Sequence, residues 1–134
     1  MPELVLQEVR QQDIYVATET WLGEGRAVPE LEGFEAFGCP RPRAYNTRGG
    51  IACYVRHGLF SHVAVWRSCP YGCYIVLKLT STPDAAPLFV VACYVPPVQA
   101  NAFMHDIADV WERLGDEVSE AKGLGRERER ERFT

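Results

Sequence analysis

"RGGIACYVRHGLFSHVAVWRSCPYGCYIVLKLT", residues 48–80, decides how this chain folds. Three segments inside it, 51–56, 62–68 and 73–80, are rich in β-branched and aromatic residues and alternate in polarity, the signature of strands. The connections between them, "HGLFS" and "CPYG", are short and contain glycine. So few residues cannot hold a crossover helix, so the spacing predicts antiparallel neighbours. Working outward, "PLFVVACYV" at 87–95 adds a strand after "STPDAA". Residues 13–18 read as another, and "FEAF" at 34–37 as a short one. Residues 2–12 carry Leu4, Val5, Leu6 and Val9 at helical spacing. Residues 22–33 have the Gly and Pro punctuation of a loop, and the X-Pro units of "GCPRPRAYNTRGG" oppose helix.

The last periodic segment is 100–121, where Phe103, Ile107, Val110, Trp111, Leu114 and Val118 recur at three- and four-residue steps. "KGLG" ends that stripe. The strict Arg/Glu alternation after it repeats like charges at i,i+4 in a helix and on one face in a strand, which predicts a disordered tail at 126–134 behind a domain at 1–125. The fold class expected is α+β, a mainly antiparallel sheet with flanking helices. The strand at 87–93 is apolar on both faces and calls for a second layer, which the pattern does not identify.

A length of 134 residues suits one domain, and the composition is that of a globular protein. No apolar run approaches the ~20 residues of a membrane span, and the N-terminus lacks the cationic start of a signal peptide. Five cysteines, an odd number, point to reduced thiols in the nucleus or cytoplasm, with no disulfide-linked partner. The net charge of −4 is unevenly spread: residues 36–83 hold no acid and six cations. Arg41, Arg43 and Arg48 in that block are candidates for contact with nucleic acid, against the alternative of solvated strand faces.

Motifs for chemistry are few. Cys69 and Cys73 have a zinc-like C-x3-C spacing, but no second Cys/His pair matches it, and His57, His62 and His105 are scattered. Packed thiols are the stronger reading. No Walker, G-x-S-x-G or G-x-G-x-x-G sequence occurs. A single "RGG" at 48–50 is a weak nucleic-acid signal and suits a tight turn.

Three segments taken together say more. "DIYVATETWL" (13–22), "RGGIACYVR" (48–56) and "FVVACYVPP" (89–97) resemble, in this order and near these spacings, the endonuclease/exonuclease/phosphatase family. The resemblance is nearest to the endonuclease domains of non-LTR retrotransposons and covers about residues 4–125. It implies a partial sandwich of two β-sheets with helices outside, acting on phosphate esters with Mg²⁺. It implies that Glu19 is the strand-end metal ligand and that Tyr94 lies at the phosphate site, as the catalytic tyrosine of "Y-x-PP". The family's early Asn-bearing strand, its "GDFN" strand and its Ser-Asp-His segment have no counterpart in these residues. "LGDEV" at 114–118 lies within the helical pattern and lacks the Asn.

Metal-assisted hydrolysis needs an oriented nucleophile and charge stabilisation besides one ligand, and losses from such a unit are not additive. The expectation is a truncated phosphodiesterase domain of retroelement origin, inactive alone. The alternative is a non-catalytic relic or half-domain that binds nucleic acid or pairs with another chain. Glu19 and Tyr94 each end an apolar strand just before a turn, so they are expected close together at one end of neighbouring strands.

Overall fold

A computed structural model of the chain describes residues 7–8, 10–18, 20, 27–40, 50–94 and 107–133. Its strands are β1 (Ile14–Thr18), β2 (Phe34–Cys39), β3 (Ile51–Arg56), β4 (His62–Ser68), β5 (Tyr74–Thr80) and β6 (Leu88–Cys93), followed by helix α1 (Ile107–Phe133). They assemble as two three-stranded antiparallel sheets, ordered β1-β3-β2 and β4-β5-β6, plus the C-terminal helix. The α+β class holds, and the layer missing from the sequence reading is the second sheet.

One neighbour relation is corrected. The short "HGLFS" connection predicts that 51–56 pairs with 62–68, but β3 and β4 belong to different sheets. β3 already pairs with β1 on one side and β2 on the other, so it offers no free edge to β4. The chain therefore crosses between the layers at 57–61. The two later connections do close antiparallel hairpins, β4–β5 and β5–β6.

Strand alternation sorts the side chains into three clusters. Between the sheets lie Cys39, Ile51, Cys53 and Val55 from the first and Ile75, Leu77, Leu79 and Ala92 from the second, all buried. On the outer face of the first sheet, Phe34, Ala52 and Tyr54 are covered by Val28 and Leu31. The Tyr54 hydroxyl donates to the Pro29 carbonyl at 2.9 Å and fastens that cover. Gly38 permits it: a Cβ there would sit 2.1 Å from Val28 Cγ2. On the outer face of the second sheet, Tyr74 and Val76 pack with Val110 and Leu114 of α1. A register shift between Val65 and Arg67 marks a bulge at Trp66, whose ring meets Phe89 edge-on at 4.9 Å. Arg67 stacks over Trp66 and reaches Glu120 of α1 at 3.3 Å.

The helix differs from its expected form in two ways. Trp111, read as part of the buried stripe, is 53 % exposed, and the contact runs instead through Val110 and Leu114, beyond which Val118 and Ala121 line an apolar cavity with Val76, Phe89 and Val91. The helix also continues to Phe133, through the segment read as a disordered tail. Arg and Glu are good helix formers, and the alternation that repeats like charge at i,i+4 sets opposite charge at i,i+3. Among the described residues no helix is long and apolar enough to cross a membrane.

Leu77 is fully buried at the centre of β5 between the layers. Leu77→Ala is expected to cost about 2–5 kcal/mol in urea unfolding, whereas Trp111→Ala should stay within about 0.5 kcal/mol. Equal effects would contradict this assignment of the core.

Candidate functional site

Pairing places several strand ends together. Thr18 pairs with Ile51 and Ile51 with Cys39, so the end of β1, the start of β3 and the end of β2 lie side by side. Cys39 Sγ lies 3.3 Å from the Tyr74 carbonyl oxygen and 3.9 Å from that of Cys69. This end of the first sheet therefore meets the β4–β5 turn of the second. Tyr94 follows β6 at the same end, its N–H donating to the Cys73 carbonyl at 2.8 Å. The strand ends leading into Glu19 and Tyr94 thus share one end of the sandwich.

Glu19 lies outside the described residues, as do Arg41, Arg43 and Arg48. The backbone just after Glu19 is placed: the Thr20 N–H donates to the Gly50 carbonyl at 3.4 Å. The connection carrying the three arginines leaves from Pro40 and returns at Gly50, both at this end. Tyr94 is half-buried, with its ring against the core between the sheets. Two cations of the same acid-free block have structural tasks. Arg56 donates to the Arg10 carbonyl and, at 2.7 Å, to that of Gln12, pairs with Asp13 at 3.5 Å and lies over the Phe34 ring. Arg67 joins β4 to α1, as described above.

No group of three or more His, Cys, Asp or Glu able to hold a metal ion occurs among the described residues, so Cys69 and Cys73 have no third partner for zinc there.

Two features of this end were not legible as sites. In the first, the Tyr71 hydroxyl donates to Asp109 Oδ2 at 2.7 Å and Arg113 Nε donates to the same oxygen at 2.8 Å. The Arg113 guanidinium, then the Tyr71 hydroxyl, hold the Asp109 carboxyl below its ordinary value, and the arrangement ties the β4–β5 turn to the first turns of α1. In the second, Cys69 opens the β4–β5 turn, which is closed by its N–H donating to the Tyr74 carbonyl at 2.9 Å. The Cys73 thiol leads the groups that hold Cys69 well below the ordinary thiol range, with the Cys73, Tyr71 and Tyr74 amides adding to it and burial opposing. Burial instead pushes Cys39 and Cys53 up to about 11. The "CPYGC" string was the available signal, a turn sequence flanked by thiols.

The chain matches no family model and no curated protein sequence.

Because the Asp109 value is depressed on folding, its contribution to stability is complete above the ordinary 3.8 and is lost as pH falls through the folded value. Carboxyl NMR titration should show the Asp109 midpoint rising toward 3.8 in both Arg113→Gln and Tyr71→Phe, and further in the first. A midpoint that neither change moves would remove the tie between turn and helix.

Proposed function

We propose that residues 4–125 are part of a phosphodiesterase domain of the endonuclease/exonuclease/phosphatase type, of retroelement origin, and that these 134 residues do not hydrolyse phosphodiesters by themselves. The observation that carries this reading is the common end of the sandwich reached by β1, leading into Glu19, and by β6, leading into Tyr94. A metal ligand and a phosphate-contacting tyrosine on two sheets have to meet at one end. Face-to-face antiparallel sheets with a helix outside also suit the family's sandwich. Mg²⁺ is the cation this reading assigns to Glu19, and nucleic acid is the substrate class it assigns to Arg41, Arg43 and Arg48. Inactivity follows from the motifs: two positions of the constellation are present and the Asp, Asn and His partners are not.

A second reading, a half-domain that pairs with another chain, is favoured by the stagger of the sheets. β2 approaches β5 and β3 approaches β6, so β1 overhangs the edge of β6. Val16 and Leu88, on inward-facing positions of those two edge strands, are 38 % and 51 % exposed. Apolar edges of this kind invite pairing. Sedimentation of the chain alone separates the readings: a self-associated species dispersed by Val16→Lys favours pairing, and a monomer favours the first.

The chain is expected to bind short DNA or RNA duplexes or single strands weakly and to lose that binding steeply with salt. Replacing Arg41, Arg43 and Arg48 by alanine should weaken binding and flatten the salt slope by up to about three. Binding indifferent to these changes would return the cluster to a solvated surface. In the same samples with Mg²⁺, no cleavage is expected, and cleavage abolished by Glu19→Ala would overturn the inactive assignment.

A further inference from the structure

The face that α1 turns to the second sheet runs through positions 110, 114, 117 and 121, steps of four, three and four that keep to one side of a helix. Val110, Leu114 and Ala121 suit such a face, and Glu117 does not. Its Oε2 is buried and accepts no hydrogen bond. The cations nearest in sequence and on the adjoining strand are engaged elsewhere: Arg113 holds Asp109 at 2.8 Å, and Arg67 holds Glu120 at 3.3 Å. Lys122 is exposed, and among the described residues it makes no ion pair with Glu117. A carboxylate oxygen in that position has given up water and gained no donor in exchange, which is costly.

Glu117 borders a cavity of about 270 Å³ between α1 and the outer face of the second sheet. Val76 of β5 and Phe89 and Val91 of β6 line it from the sheet, and Val118, Ala121 and Lys122 join Glu117 on the helix side. The register accounts for the sheet wall. Val76 pairs with Val91 and Lys78 with Phe89, so these side chains emerge on the same face as Tyr74. Ala121 has only a methyl to offer opposite them, which leaves the space open. β6 is the edge of its sheet and Val91 is exposed, so the mouth lies along that edge. Tyr74 is fully buried two residues before Val76, and its hydroxyl is also without a hydrogen bond. Burial, and after it the nearby Glu117 side chain, pushes that hydroxyl up, so it stays protonated.

We infer that this cavity binds a small primary ammonium with a compact apolar body, seated with its nitrogen on Glu117 and its body between sheet and helix. The valines, Phe89 and Ala121 select the body, and the orphaned oxygen selects the head. An apolar cavity of about 150 Å³ takes one benzene ring, so this one has room for a ring with a short arm. Inside an apolar wall, an ammonium on a carboxylate makes a charge-assisted hydrogen bond, stronger than a hydroxyl would make. Its three donors also suffice for the phenolic oxygen of Tyr74. Lys122 is exposed at the rim, so the charge met inside is that of Glu117, and an anionic ligand of the same size is disfavoured. None of these residues belongs to the strand ends leading into Glu19 and Tyr94, so the site lies beyond both functional readings.

The test is a methyl NMR titration of the whole chain at neutral pH with three probes: phenethylamine, its neutral isostere phenethyl alcohol, and the anion hydrocinnamate. Phenethylamine should give saturable shifts at the methyls of Val76, Val91, Val118 and Ala121, with a Kd of about 1 mM or below. Phenethyl alcohol should bind at least about tenfold more weakly, and hydrocinnamate not measurably. Glu117→Gln should weaken phenethylamine at least about tenfold and leave phenethyl alcohol unchanged. Ala121→Phe, which fills the space, should abolish both. Absence of saturable shifts at these methyls, equal affinity for amine and alcohol, or undiminished amine binding in Glu117→Gln would overturn the assignment. Cavity shifts that follow protein concentration and ignore the amine would place a second copy over the mouth, and would overturn it as well. The comparison of probes is made on the unmutated chain, so it stands whatever the variants do to folding. It needs neither metal nor nucleic acid and is independent of the phosphodiesterase reading.

Discussion

Ile51, Cys53 and Val55 of β3 and Ile75, Leu77 and Leu79 of β5 are buried in one cluster between the sheets, a seam with almost no solvent exposure. Each of these strands is the centre of its own sheet. A three-stranded sheet with one apolar face has little stability alone, and here each sheet serves as the cover for the other. Removing side chains at that seam would leave two sheets that share the 57–61 crossing and few other attachments. The helix is secondary in this sense: it covers the outer face of the second sheet through Val110 and Leu114 and is tied there by the exposed Arg67–Glu120 ion pair, of small individual worth, and by the Tyr71 hydroxyl on Asp109.

The seam also determines what the strand ends can do. With β3 set against the second sheet, the Cys39 and Ile51 end of the first sheet comes to rest on the β4–β5 turn. The ends of β1 and β6, the turn at 69–73 and the first turns of α1 then occupy one end of the molecule. Chemistry that needs groups from both sheets can be assembled only at such an end. The proposed phosphate-binding reading depends on this convergence, through the segments that follow β1 and β6.

The strands were legible because their residues follow a period of two over five to seven positions. Ile51–Arg56 and His62–Ser68 have the same bounds in the sequence reading and in the structure. The sheet to which each strand belongs was not legible, because the length of "HGLFS" limits the distance crossed and not the edge reached. Trp111 fits the helical stripe by spacing but is 53 % exposed, since the face the helix turns to the sheet is centred on Val110 and Leu114. The helix through 126–133 was missed by weighing like charges at i,i+4 without the opposite charges at i,i+3. At the candidate site, the motif singles out Tyr94, and the pairing of β6 puts it at the end where β1 also finishes. The tie from Tyr71 to Asp109 was hidden because the two residues lie 38 positions apart and meet only once the helix packs on the second sheet.

If the seam is the constraint on which the structure depends, β3 and β5 cannot lose their protection separately. Native-state hydrogen exchange of the amides of Ile51–Val55 and Tyr74–Leu79 measures this directly. The account predicts that both sets open in one cooperative unit, with the same free energy and the same denaturant dependence, while β1 and β6 exchange through smaller openings. Exchange of β3 at a markedly lower free energy than β5, with β5 still protected, would show that the second sheet stands without the first and would contradict the account.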